Sequence, residues 1–155
     1  QDAETSGNTG WQLGRSYSAN GLRVVFNDGT NLVNEVLTFD VGSRPPDFED
    51  EWVHIAIVFD RTDDTAVAYV NGELQADTVD ISSVSGDVSA SQWIRFGGLD
   101  GNNLDGKIDE LRIWSYAREG LQIKADMFSQ IDGDGSGLEG YWRFNENTGE
   151  DIYDE

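Results

Sequence analysis

Trp52-Val-His-Ile-Ala-Ile-Val-Phe-Asp60, followed shortly by Ala68-Tyr-Val-Asn-Gly-Glu-Leu74, decides the fold class of this chain. Both segments are rich in β-branched and aromatic residues that alternate with small or polar ones, the period of a strand with one covered face. The second runs into Asn71-Gly72, and a type I′ turn needs positive φ at both of its central residues. Asn-Gly between alternating hydrophobics therefore predicts a tight hairpin at Asn71 and Gly72. An antiparallel meander follows for the middle of the chain.

Outward from the meander, the same signals recur. Trp11 to Ser18 and Leu22 to Phe26 are predicted strands separated by Asn20-Gly21, and Asn27-Asp28-Gly29-Thr30 is a hairpin turn leading to a strand at Val36 to Phe39. Arg44 to Glu51 holds both prolines and four carboxylates, so it is an exposed connection. Thr78 to Ala90 reads as a long loop with one irregular strand, and Trp93 to Phe96 as a short strand. Lys107 to Trp114 is a strand of mixed pattern, in which either both faces are covered or a bulge near Asp109 shifts the register. Leu121, Ala125 and Phe128 recur at i, i+4 and i+7, which predicts one short amphipathic helix over residues 118–128. Leu138 to Phe144 is the last strand.

The whole predicts an all-β chain in one domain, residues 1–155, built as a sandwich of two antiparallel sheets. At 155 residues it can bury one sizeable core, and its 17 aromatic residues supply large areas for it despite a hydrophobic content of 37%. No apolar run reaches the roughly 18 residues needed to cross a membrane, so membrane insertion is not expected. The formal net charge is −20, and such a surface repels phosphate backbones, which excludes nucleic acid as a partner. Three sources of the acidity compete: solubility in a salty medium, divalent-cation loops, or attraction to a basic partner. The chain has no cysteine, so neither disulfides nor thiolate metal sites arise.

Three blocks carry a resemblance to a known family. Trp52-Val-His54-Ile-Ala56, Phe59-Asp60 and Tyr69-Val-Asn-Gly72 resemble the central hairpin of laminin G-like jelly-roll domains, in the concanavalin A-like lectin/glucanase superfamily that also holds the pentraxins. Gly106-Lys-Ile-Asp-Glu-Leu-Arg-Ile-Trp114 with Ser115-Tyr-Ala-Arg-Glu119 is similar to the family's late strand and the helix after it. Gly140-Tyr-Trp-Arg-Phe-Asn-Glu146 resembles its closing strand. The resemblance implies a jelly roll. It also implies two strands, a Phe-Asp-Gly block and a Phe-Thr-x-x-x-Trp-Val block, ahead of the segment matching Trp11. Neither block occurs in this sequence, so the expectation is a domain lacking its first two strands, with another segment or chain supplying them.

Candidate sites lie in the loops. Asp100, Asn102, Asn103 and Asp105 sit in a Gly-flexible stretch just before the late strand, where the resemblance implies calcium ligands; these are the hard oxygen donors calcium takes. A solvated turn is the alternative. Asp132, Asp134 and Ser136, with Gly137 after them, match the first half of an EF-hand loop, but Arg143 stands where its bidentate Glu belongs. Trp11, Tyr17, Trp93 and Tyr116 lie near strand ends, where an exposed ring stacks on a sugar. The other Trp residues are expected in the core.

Catalysis is not expected. Asp109 and Glu110 are adjacent strand residues that point to opposite faces and do not converge as an acid–base pair. Glu110 is expected to pair with an arginine such as Arg112, and Asp109 with backbone. The Glu-x-Asp-x-x-Glu pattern of the superfamily's laminarinase-type hydrolases does not occur in the sequence. His54, the only histidine, is expected within the central strand as a satisfied structural residue. The resulting expectation is a non-catalytic, extracellular or cell-surface module that binds carbohydrate or protein through rim loops, with calcium as the bridging ion. A structural or assembly module using an open sheet edge is the alternative, and a glycoside hydrolase or polysaccharide lyase the more distant one.

Overall fold

A computed structural model describes residues 8–16, 21–39, 51–89, 98–99, 102–132 and 135–146. Strands β1 (Thr9–Arg15), β2 (Gly21–Asp28) and β3 (Leu32–Thr38) form one antiparallel meander, and β4 (Ile55–Asp60), β5 (Thr65–Val70) and β6 (Glu73–Asp80) form a second. A short antiparallel pair, β7 (Gly98–Leu99) with β8 (Asn102–Asn103), and the pair β9 (Leu111–Trp114) with β10 (Leu138–Trp142) follow. Between β9 and β10 lies α1 (Gly120–Asp126), the one helix among the described residues.

The two meanders bury a common core. Val24 and Phe26 of β2, Val33 and Leu37 of β3, Ala66, Ala68 and Val70 of β5, and Val79 of β6 meet in it, with Ile81 and Val84 closing one side. Their spacing by two along β5 is the alternation read in the sequence. Phe26 and Phe59 stack across the core at 5.0 Å between ring centroids, nearly parallel. Val24 and Val25 are both buried, so β2 is covered on both faces. β3 and β6 are joined at their edges, where the Thr38 N–H donates to Asp77 Oδ2 at 3.0 Å. The architecture is an all-β antiparallel sandwich with one short helix, as the pattern predicts.

The Asn71-Gly72 turn has φ of 50° and 76° at its two central residues, the signature of type I′. It also does more than reverse the chain. Asn71 N–H donates to the His54 carbonyl at 2.8 Å, and His54 N–H donates to Asn71 Oδ1 at 3.0 Å. The turn thereby fixes the main chain that enters β4.

Several aspartates at strand ends and turns accept backbone N–H groups. Asp28 Oδ1 accepts from Thr30 (2.9 Å) and Asn31 (2.7 Å), and Asp28 Oδ2 accepts from Gly86 (2.9 Å). Asp60 accepts from Thr62 and Asp63, Asp80 from Ser82, and Asp87 from Ser89. A carboxylate that accepts several N–H bonds prefers to stay ionised. Backbone hydrogen bonds accordingly hold the Asp28 carboxyl well below the usual range, and side-chain and backbone bonds lower Asp77, Asp80 and Asp87. Part of the acidity is thus turn chemistry, a source not among the three read from composition.

Several expected boundaries shift. β3 begins at Leu32 rather than Val36, and β6 continues through Thr78 to Asp80 into the stretch expected as loop. β9 begins at Leu111, not Lys107, because Glu110 has φ of 52° and breaks the strand. The last strand ends at Trp142; Phe144 is also at positive φ. His54 precedes β4 rather than lying within it. The helix spans seven residues, and its expected apolar face is the exposed one: Leu121 is 81% exposed and Phe128 76%, while Ile123 is buried. Polar ties rather than that face hold it down: Arg112 Nη1 donates to the Asp126 carbonyl at 2.8 Å, Arg118 pairs with Asp126, and Lys124 pairs with Glu73.

Candidate functional site

The β9–β10 pair ends where the chain leaves Trp114. Ser115 N–H donates to the Gly137 carbonyl at 2.9 Å and its Oγ to the same oxygen at 3.2 Å, so residues 115–116 lie beside the loop that opens β10. Gly137 has φ of 80°, and a Cβ there would stand 2.6 Å from Tyr116 Cδ1 and Cε1. Only glycine satisfies both the backbone angle and the approach of the ring. Tyr116 is consequently supported on its loop side yet 43% exposed. It meets Trp114 edge-on at 5.8 Å, and the Arg118 guanidinium lies 4.1 Å from the Trp114 centroid. In the loop, Gly135 N–H donates to the Asp132 carbonyl at 3.3 Å and Leu138 N–H to the Gly135 carbonyl at 3.0 Å. Asp132 and Ser136 are exposed on it. A half-exposed ring backed by a loop that carries an exposed carboxylate and hydroxyl suits a sugar, whose apolar C–H face lies on a ring and whose hydroxyls bond to oxygens.

Three expected site residues, Tyr116, Asp132 and Ser136, thus lie on the two segments that meet at one end of the β9–β10 pair. Trp11 is not among them: it lies on β1 opposite Phe26, 41% exposed. Tyr17, Trp93, Asp100 and Asp134 lie outside the described residues. Asn102 and Asn103 form β8 against Leu99 and Gly98, so a short antiparallel pairing occupies part of the stretch expected as an irregular loop, and Asp105 is exposed beyond it. Among the described residues, no three His, Cys, Asp or Glu side chains gather to hold a metal ion. Calcium at either loop therefore needs donors beyond the described carboxylates.

Trp52 is the aromatic that sequence reasoning misplaced. Its place in the alternation with His54 and Ala56 put it in the core, yet it is 64% exposed because β4 begins three residues later, at Ile55. The run Glu49-Asp50-Glu51 just before it was the available signal.

Asp109 and Glu110 are occupied in holding the structure. Asp109 Oδ1 accepts the Glu110 N–H at 2.9 Å. Glu110 Oε2 accepts from Arg112 Nη2 at 2.9 Å and from the Tyr141 hydroxyl at 2.5 Å, as the expected Glu110–Arg112 pair required. The Arg112 guanidinium also lies 5.2 Å from the Tyr141 ring centroid. Tyr141 is fully buried, and burial, reinforced by its bond to Glu110, pushes its hydroxyl pKa up. His54 is not the satisfied histidine expected: its Nδ1 is buried with no hydrogen-bond partner. Desolvation, with the Arg112 charge adding to it, lowers its pKa below 6.5.

The family model described as Concanavalin A-like lectin/glucanases superfamily matches residues 2–124, from before β1 into α1. The chain belongs to that superfamily. Among solved structures, a candidate carbohydrate binding protein from Bacteroides ovatus is similar over 97% of this chain with a TM-score of 0.61 and 24% identity. At that identity the likeness speaks to the fold. This chain spans 45% of that protein's length. An S-layer domain-containing protein from Clostridium thermocellum (residues 221–444) matches 79% of this chain and 64% of its own at 17% identity and a TM-score of 0.37. No curated protein matches the chain in sequence. The superfamily takes in both lectins and glucanases, so membership alone leaves binding and hydrolysis open.

Proposed function

We infer that this chain is a non-catalytic carbohydrate-binding module acting outside the cell or at its surface. The observation that carries the reading is Tyr116, half-exposed and backed by Gly137, on whose loop Asp132 and Ser136 are exposed. Two further facts support it. The fold is lectin-like, and the solved neighbour from Bacteroides ovatus is a candidate carbohydrate binding protein. Against catalysis stand the engagements of Asp109 and Glu110 with backbone, Arg112 and Tyr141. The test is a glycan array followed by titration of the hits against wild type and Tyr116→Ala. Affinity lost in a variant with an unchanged melting temperature supports the reading; an empty array overturns it.

Calcium enters the reading as an ion held by Asp132, Asp134 and Ser136, or by Asp100, Asn102, Asn103 and Asp105. Binding restricted to the folded state raises stability in step with free calcium. Absence of both heat and thermal shift at millimolar calcium removes it while leaving the stacking site in place.

A second reading, an assembly module, is favoured by the exposed apolar face of Leu121 and Phe128. Light scattering distinguishes it: a self-associating species that reverts to monomer on Leu121→Ser with Phe128→Ser favours assembly, and a monomer at all concentrations disfavours self-assembly.

A further inference from the structure

We propose that the Tyr116 site selects its glycan by charge, taking amino-bearing sugars most tightly, neutral ones next, and excluding uronate and sulfated polymers. The proposal deepens the carbohydrate reading above and rests on it.

Three observations carry it. First, the cations on the elements around the site are already engaged. Arg118 pairs with Asp126 at 2.5 Å while covering the Trp114 ring, and Arg112 pairs with Glu110 at 2.9 Å. Arg143 lies 4.0 Å from Glu110, and Lys124 pairs with Glu73. Recognition of a uronate or sulfate needs a guanidinium or ammonium aimed at it; to serve, Arg118 would have to leave both Asp126 and the Trp114 ring. Second, the exposed charged groups on the loop that backs the ring and on the strand it opens are of the opposite sign. Asp132 is exposed on the loop whose Gly137 backs the ring, and Glu139 is exposed on β10. A carboxylate accepts from sugar hydroxyls and accepts more strongly from an ammonium, but offers an anionic sugar only repulsion and no donor. Third, the whole chain carries a net charge of −20. A field of that sign raises the local concentration of a cationic ligand and lowers that of an anionic one. The contact terms and the long-range term therefore act in the same direction.

The experiment uses a glycan panel grouped by charge, then a matched series on one β-1,4-linked glucose backbone: cello-oligosaccharide, its 2-amino counterpart and its 6-carboxylate counterpart. The expected order is amino above neutral above carboxylate. The amino preference is expected at roughly tenfold in low salt and to shrink as salt is added, the behaviour of electrostatic complementarity. Asp132→Asn is expected to weaken amino-sugar binding more than neutral binding, and so to reduce the amino-to-neutral ratio. Because any cationic polymer adsorbs weakly to an acidic protein, Tyr116→Ala is the control, and amino-sugar binding that survives it overturns the assignment to this site. Hits among uronates or sulfated glycans, or a carboxylate series that binds as well as the neutral one, overturn the charge rule while leaving the carbohydrate reading intact. A panel with no hits overturns both.

Discussion

Asp28 Oδ2 accepts the Gly86 N–H at 2.9 Å, joining the β2–β3 hairpin to the segment after β6 across 58 residues. Gly86 is held from its other side as well, since Arg61 Nη2 donates to its carbonyl at 3.1 Å while the guanidinium lies 5.5 Å from the Phe26 ring centroid. The segment beyond β6 thus links the two meanders without belonging to either sheet.

Asp28→Asn keeps the shape but removes the charge that three backbone N–H groups favour. The variant is expected to melt below wild type at neutral pH and to show a flatter acid limb. The sign follows from the lowered pKa: the folded state holds Asp28 ionised, so its stabilisation is full above the unfolded value of 3.8 and is lost as pH falls below it. Melting curves at stepped pH values check both parts.

His54 makes stability fall with pH in the same direction, but in a higher range. Its pKa is lowered from 6.5 in the folded state, chiefly by desolvation, so the neutral imidazole is the form the fold accommodates. Its contribution is complete above 6.5 and declines as pH falls through that value, because the unfolded chain then binds the extra proton. His54→Phe is expected to remove this part of the slope between neutral and mildly acid pH. Urea midpoints of both proteins at stepped pH values measure it.

Tyr141→Phe deletes one hydroxyl from a buried site. It leaves Glu110 paired with Arg112 and removes a hydrogen bond to a charged acceptor, at a cost of about 2 kcal/mol. Urea denaturation reads the loss, and the Glu110–Arg112 pair keeps the variant folded.

Gly72→Ala tests the central turn. Its φ of 76° is strained for any residue with a Cβ, and that atom would lie 3.0 Å from Met127 Sδ. A loss of roughly 1–3 kcal/mol is expected.

Gly137→Ala tests the link between loop and ring. The new Cβ cannot coexist with the Tyr116 ring, so glycan affinity should fall along with stability. Tyr116→Ala should lower affinity alone. Comparing the two by titration and melting separates positioning of the ring from the ring itself.

The fold was legible where the signal is local. Asn71-Gly72 names its own turn because positive φ at two successive residues is tolerated by few residue pairs. Alternation along Thr65–Val70 names the buried face. What was not legible depends on partners far away in sequence. The periodicity of Leu121, Ala125 and Phe128 predicts the wrong face, since α1 is only seven residues long and is fixed by Arg112, by Glu73 and by the single buried Ile123. Trp52 and His54 show the same limit, because an alternating pattern does not say where a strand begins. Of the site, Tyr116, Asp132 and Ser136 were each readable as candidates, but the meeting of their two segments depends on the Ser115–Gly137 hydrogen bonds.

The aspartates at Asp28, Asp80 and Asp87 that accept backbone N–H groups give the chain's acidity a mechanical meaning. Each is a latch that grips most firmly while ionised, and they sit at separate points along the chain rather than in one place. Acid would loosen all three. Such a protein gives up its corners along with its charge.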